Sequence, residues 1–66
     1  MQLTINGESK EYGATMTVGK LLETLGLRDQ YVAVECNLEV ISYAKYDEVM
    51  LVDGDRLEIV TLVGGG

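Results

Sequence analysis

The sequence predicts an α+β fold in which a mixed sheet of four to five strands packs on one main helix. Three observations carry this. Apolar and polar residues alternate in several short stretches, a single stretch has helical spacing, and 66 residues leave room for one small core.

Leu3 and Ile5 alternate with Gln2, Thr4 and Asn6, the period-two pattern of a half-buried strand. Asn6-Gly7 is a strong hairpin signal, so residues 9 to 13 are expected to return as a second strand. With Met1 so near the first strand, nothing is expected to precede the domain. Thr17 is placed to cap a helix in which Val18, Leu21, Leu22 and Leu25 fall at i, i+3, i+4 and i+7, and Gly26 is placed to stop it. Lys20 stands where a capping box has Glu or Gln, and Gly19 sits in the first turn; both weaken the helix start.

Val32, Val34 and Cys36 alternate with Ala33, Glu35 and Asn37, giving a third strand with its apolar face inward, and Val40 and Ile41 suggest a short fourth. Residues 42 to 50 mix Tyr43, Tyr46, Asp47 and Glu48 without a clean period and predict a loop with one helical turn. Asp53-Gly54-Asp55 reads as a turn. After it Leu57, Ile59, Thr61 and Val63 point one way, and Glu58, Val60 and Leu62 the other. The order hairpin, helix, two strands and final strand is a β-grasp arrangement, with a domain at residues 1–63 and a flexible glycine tail at 64–66.

Eleven acidic side chains against five basic ones give a net charge of -6, the wrong sign for a surface that neutralises phosphates. Nucleic acid and membrane are therefore not expected as partners. No apolar run approaches the roughly 20 residues of a membrane span, and the first residues lack the pattern of a signal peptide, so a cytoplasmic protein is predicted. There is no histidine, no nucleophile and base pair and no phosphate loop, so neither an enzyme nor a cofactor or metal site is predicted. The alternation around Cys36 points to a buried structural thiol. Asp53 and Asp55 read as turn residues, since two carboxylates at a loop tip lack the further ligands that magnesium requires.

The least ordinary feature is Gly64-Gly65-Gly66. At an average glycine usage of about 7%, three in a row at a chosen place arise by chance roughly three times in ten thousand. Without Cβ atoms such an end can be drawn extended through a narrow channel and lie flat against another protein's backbone. At about 3.3 to 3.6 Å per residue, Val63 to Gly66 reach on the order of 13 Å. A carboxylate is a poor electrophile, whereas the acyl-adenylate made from it with ATP is a good one. The alternative is a frayed end without a role. Beside this tail, Val60 and Leu62 face away from the predicted core and suggest a partner-docking patch, which the surrounding acidity would steer toward a basic rim.

The whole chain resembles the ThiS family, the ubiquitin-like sulfur carrier proteins of thiamine biosynthesis. The likeness rests on Met1-Gln2-Leu3-Thr4-Ile5-Asn6-Gly7-Glu8, on the Thr17-Val18 start of a leucine helix ending Leu25-Gly26-Leu27, and on Val32-Ala33-Val34 running to Asn37. It continues through Asp53-Gly54-Asp55-Arg56-Leu57-Glu58-Ile59-Val60 to Val63-Gly64-Gly65-Gly66. The resemblance implies that a ThiF-like adenylating enzyme activates the C-terminal carboxylate and a persulfide sulfur donor converts it to a thiocarboxylate. A ThiG-like thiazole synthase then takes the sulfur for the thiazole ring. Gly66 is the implied sulfur acceptor, with Gly64 and Gly65 threading into partner active sites. The chain departs from the family pattern at Leu38, where a glycine often follows the asparagine, and across Ser42 to Met50, which lacks the usual proline. Two other readings stay open: a MoaD-type carrier for molybdopterin synthesis, whose members are usually longer, and a β-grasp interaction module that ignores its tail.

Overall fold

The computed structural model describes residues 1–62. The boundary predicted after residue 63, the facing of Val63 and the Gly64–Gly66 tail lie outside the described residues. Five strands, β1 (Gln2–Ile5), β2 (Glu8–Glu11), β3 (Val32–Cys36), β4 (Glu39–Ile41) and β5 (Arg56–Thr61), form one sheet in the order β2-β1-β5-β3-β4. β1 and β5 run parallel and the other pairs antiparallel. This is the β-grasp arrangement, with helix α1 (Val18–Thr24) as the crossover that covers one face.

The first hairpin turns on Asn6 and Gly7, with φ of 51° and 83°, the left-handed pair that a two-residue turn between twisted strands requires. That tight turn sets Glu8 opposite Ile5, so β2 begins one residue before the predicted 9–13 stretch and ends at Glu11. The pairing still reaches Tyr12, whose N–H donates to the carbonyl of Met1 at 2.8 Å.

α1 starts as predicted, the Thr17 hydroxyl accepting from the N–H of Lys20 at 3.1 Å. It ends in a Schellman motif around Gly26 (φ 74°): Gly26 N–H donates to Glu23 C=O at 3.0 Å and Leu27 N–H to Leu22 C=O at 2.8 Å. Leu25, expected as the last member of the helical stripe, is the C-cap residue and is half-buried. Seven residues are too few for a helix to hold alone, so its stability comes from packing Val18, Leu21 and Leu22 on the sheet. The unfavourable Gly19 has a steric reason. A Cβ there would collide with the side chains of Arg28 and Asp47, which meet directly over it.

The core joins these helix residues to Leu3 and Ile5 of β1, Val34 of β3, and Leu57 and Ile59 of β5. Two more members, Tyr46 and Leu51, come from the connection between β4 and β5, where no period announced them. The one helical turn expected there is the 3-10 turn Tyr43–Lys45, which swings Tyr46 inward.

Candidate functional site

β5 carries the chain toward the glycine end, so the site is built from this strand outward. Its register is fixed by β3: Leu57 faces Cys36, Ile59 faces Val34 and Thr61 faces Val32 on the helix side of the sheet. Glu58, Val60 and Leu62 take the opposite parity, as predicted, and Val60 and Leu62 are 55% and 53% exposed. On that open face Val60 lies opposite Ala33 of β3, and Val40 of β4 lies opposite Glu35, one step along the diagonal from Ala33. The result is a small apolar strip of Val40, Ala33 and Val60, bordered by Glu35 and Glu58.

A second exposed group adjoins the same end. Leu62 N–H donates to the Tyr31 carbonyl at 2.8 Å, the last described bond between β5 and its neighbour. Tyr31 is 82% exposed, and with Tyr43, 78% exposed, it lines an open cleft that also includes Arg28, Gln30 and Val32. Beneath this rim the Tyr43 and Tyr46 rings lie 5.3 Å apart, and the Tyr46 hydroxyl donates to the Val32 carbonyl at 3.3 Å. Arg28 and Asp47 form a two-pronged ion pair at 2.9 and 2.8 Å. The Arg28 hydrogen bond holds the Asp47 carboxyl below the ordinary carboxylate range, and the same bond raises the Arg28 guanidinium. Sequence reasoning singled out neither Tyr31 nor the exposure of Tyr43. A signal existed in two tyrosines set in segments without hydrophobic period.

Three residues read as turn or core features have specific duties. The Asp53 carboxylate accepts from Gln2 N–H at 2.7 Å. Asp55, predicted simply as a turn residue, is buried at 8% exposure and accepts from Asn37 Nδ2 and from Val52 N–H, both at 2.9 Å. Both carboxylates are thus spent on holding the loop, and among the described residues no cluster of acidic, histidine or cysteine side chains could hold a metal ion. Cys36 faces inward but is only half-buried, because it lies at the end of β3. Its thiol is pushed up, first by desolvation and then by the nearby Asp55 charge, which suppresses the reactive thiolate.

The ThiS family model matches residues 3–66, nearly the whole sequence. The chain belongs to the ThiS family. A thiazole synthase of Paramagnetospirillum magneticum is 50% identical over 66 residues, covering all of this chain and 20% of that protein. The chain thus spans about a fifth of that relative's length. The sulfur carrier protein ThiS of Bacillus subtilis is 42% identical over 65 residues, covering 97% of this chain and 98% of its own. The crystal structure of the thiamine biosynthesis protein ThiS from Geobacter metallireducens superposes with a TM-score of 0.86 at 38% identity, over the full length of both chains. Against this ThiS background the departure at Leu38 gains a structural meaning. Asn37 and Leu38 form the β3–β4 turn with φ of 53° and 71°, so leucine occupies a left-handed position that favours glycine. Among the described residues no helix is long and apolar enough to cross a membrane.

Proposed function

We propose that the chain carries sulfur on the carboxylate of Gly66, handed between partners by a Gly64-Gly65-Gly66 tail that leaves the end of β5. An adenylating enzyme of the ThiF type joins the carboxylate to AMP and releases pyrophosphate. The terminal sulfur of a persulfide donor attacks the acyl carbon and expels AMP. Two electrons from a thiol reductant then break the sulfur–sulfur bond and leave a thiocarboxylate. A ThiG-type thiazole synthase takes that sulfur.

The observation that supports this reading most is that the ThiS match runs through residue 66 and so includes the glycines. The chain's likeness to part of a thiazole synthase supports that enzyme as the acceptor. Val60 and Leu62, exposed on the open face next to the tail, are the proposed docking contacts for the adenylating enzyme. Gly64 and Gly65 would pass through a channel that a Cβ obstructs.

Intact mass analysis of the chain purified from cells making thiamine tests the chemistry. The expected species is heavier by one oxygen-to-sulfur exchange at Gly66, and it should vanish when Gly66 is removed. Full ATP-dependent adenylation of the chain lacking Gly66 would sink the proposal.

A further inference from the structure

The two edges of β5 are used unequally. The bonds Asn37 N–H to Arg56 C=O at 2.7 Å and Leu62 N–H to Tyr31 C=O at 2.8 Å fix the parity: the even residues of β5 turn their backbone groups toward β3. The odd residues therefore turn theirs toward β1. Leu57 C=O accepts from Asn6 N–H at 2.9 Å there. Strand β1 then ends, its ladder with β5 comprising only Thr4 with Arg56 and Ile5 with Leu57.

At the next odd position the Asn6 side chain replaces the missing strand. Its Oδ1 accepts from Ile59 N–H at 2.7 Å and its Nδ2 donates to Ile59 C=O at 3.0 Å, so one amide imitates one further residue of β1. The following odd residue is Thr61, and among the described residues nothing bonds to its backbone N–H or C=O on this edge. The corresponding edge of β3 is closed differently, by the Tyr46 hydroxyl on Val32 C=O. Thr61 is thus the first open ladder position of the β3–β5 pair, three residues before Gly64.

We propose that the Thr61 edge of β5 is a strand-pairing site, at which an extended backbone segment of the thiazole synthase adds beside β5 and continues the line that Asn6 ends. The inference rests on the reading of that synthase as the acceptor. A pairing strand lies about 4.8 Å from its neighbour and reads backbone groups, not side chains. It would hold the chain extended at the point from which the tail must enter the acceptor's site. Because the contact is made by main chain, it tolerates any side chain at residue 61 that leaves the strand intact.

Hydrogen exchange, carried out on the free chain and in its complex with thiazole synthase, then quenched and read amide by amide, tests this. In the free chain the Thr61 amide should exchange fast and that of Val60, which the register bonds to Ala33, slowly. In the saturated complex Thr61 should slow by roughly tenfold or more. A chain made by total synthesis with an ester in place of the Thr61 amide lacks that donor and keeps the Val60 carbonyl, as a weaker acceptor, opposite Ala33. It should lose less melting temperature than the same ester at Val60 and bind the synthase about three- to tenfold more weakly, the worth of one hydrogen bond. The same ester at Val60 should lower the melting temperature. A saturated complex in which Thr61 stays fast, or an ester chain that binds as well as the parent, overturns the pairing site while leaving the acceptor intact. Failure of the two proteins to associate at all overturns the acceptor reading, and the pairing site with it.

Discussion

Replacing Leu38 with glycine should stabilise the domain. Leu38 holds φ at 71° in the β3–β4 turn and is 91% exposed, so its side chain contributes almost no burial in return for the backbone it forces. A left-handed conformation costs an L-residue roughly 1–2 kcal/mol, which glycine avoids. Glycine's greater freedom in the unfolded chain takes back about 0.4–1 kcal/mol. The difference favours Leu38→Gly by about 0.5–1 kcal/mol, which in a domain of this size raises the melting temperature by roughly 2–8 °C. The adjacent position should respond with the opposite sign. Asn37 is also left-handed, at φ 53°, but its side chain donates to Asp55 at 2.9 Å and accepts from Arg56 N–H at 3.0 Å. Asn37→Gly therefore loses two bonds and leaves buried Asp55 short of a donor, a cost of about 1–3 kcal/mol. Thermal melts of the two single variants decide this. A melting temperature for Leu38→Gly at or below that of the parent would refute the turn argument.

Leu22, 1% exposed at the centre of the helix–sheet contact, should cost about 2–5 kcal/mol when cut to alanine, and urea unfolding measures it. Asp47 has a folded pKa depressed by Arg28, so its stabilising contribution is present above the unfolded value of 3.8 and is lost as pH falls through the lower folded value. Asp47→Asn should accordingly flatten the loss of stability below about pH 4 in acid titrations followed by circular dichroism. Serine at both Val60 and Leu62 should leave urea unfolding of the free chain nearly unchanged, since both are more than half exposed, while weakening its affinity for the adenylating enzyme. Unchanged affinity would rule out that docking patch.

Elements with a period were legible in the sequence. The Asn6-Gly7 turn, the Thr17 cap, the Gly26 stop and the inward set Leu57 and Ile59 follow from local chemistry acting over a few residues, and the structure has each of them. Tyr46 and Leu51 were not legible as core because each is turned inward singly, from irregular backbone, by the space beneath α1. The burial of Asp55 was hidden for another reason. Its donor Asn37 lies 18 residues away, and only the β3–β5 register brings the two together. Cys36 had the right facing and too much assigned burial, since alternation gives direction but not distance from the strand end. At the candidate site, alternation located Val60 and Leu62, whereas Tyr31 and Tyr43 line one cleft only because two segments distant in sequence fold together.

The distribution of bonds along β5 gives these observations a common physical sense. Its stretch from Arg56 to Ile59 is held from both sides: Asn37 bonds Arg56 through backbone and side chain, β1 pairs with Arg56 and Leu57, and Asn6 grips both backbone groups of Ile59. Leu57 and Ile59 are also the strand's two core side chains. Beyond Ile59 both β1 and β4 have ended, and among the described residues only the bonds to β3 remain, the last of them at Leu62. Stability is therefore concentrated where the strand enters the sheet and declines toward the exposed Val60 and Leu62, the proposed docking contacts. Substitutions at Asn6, Asn37 and Asp55 should accordingly register in unfolding, and those at Val60 and Leu62 in association, so that the two properties can be altered separately on one strand.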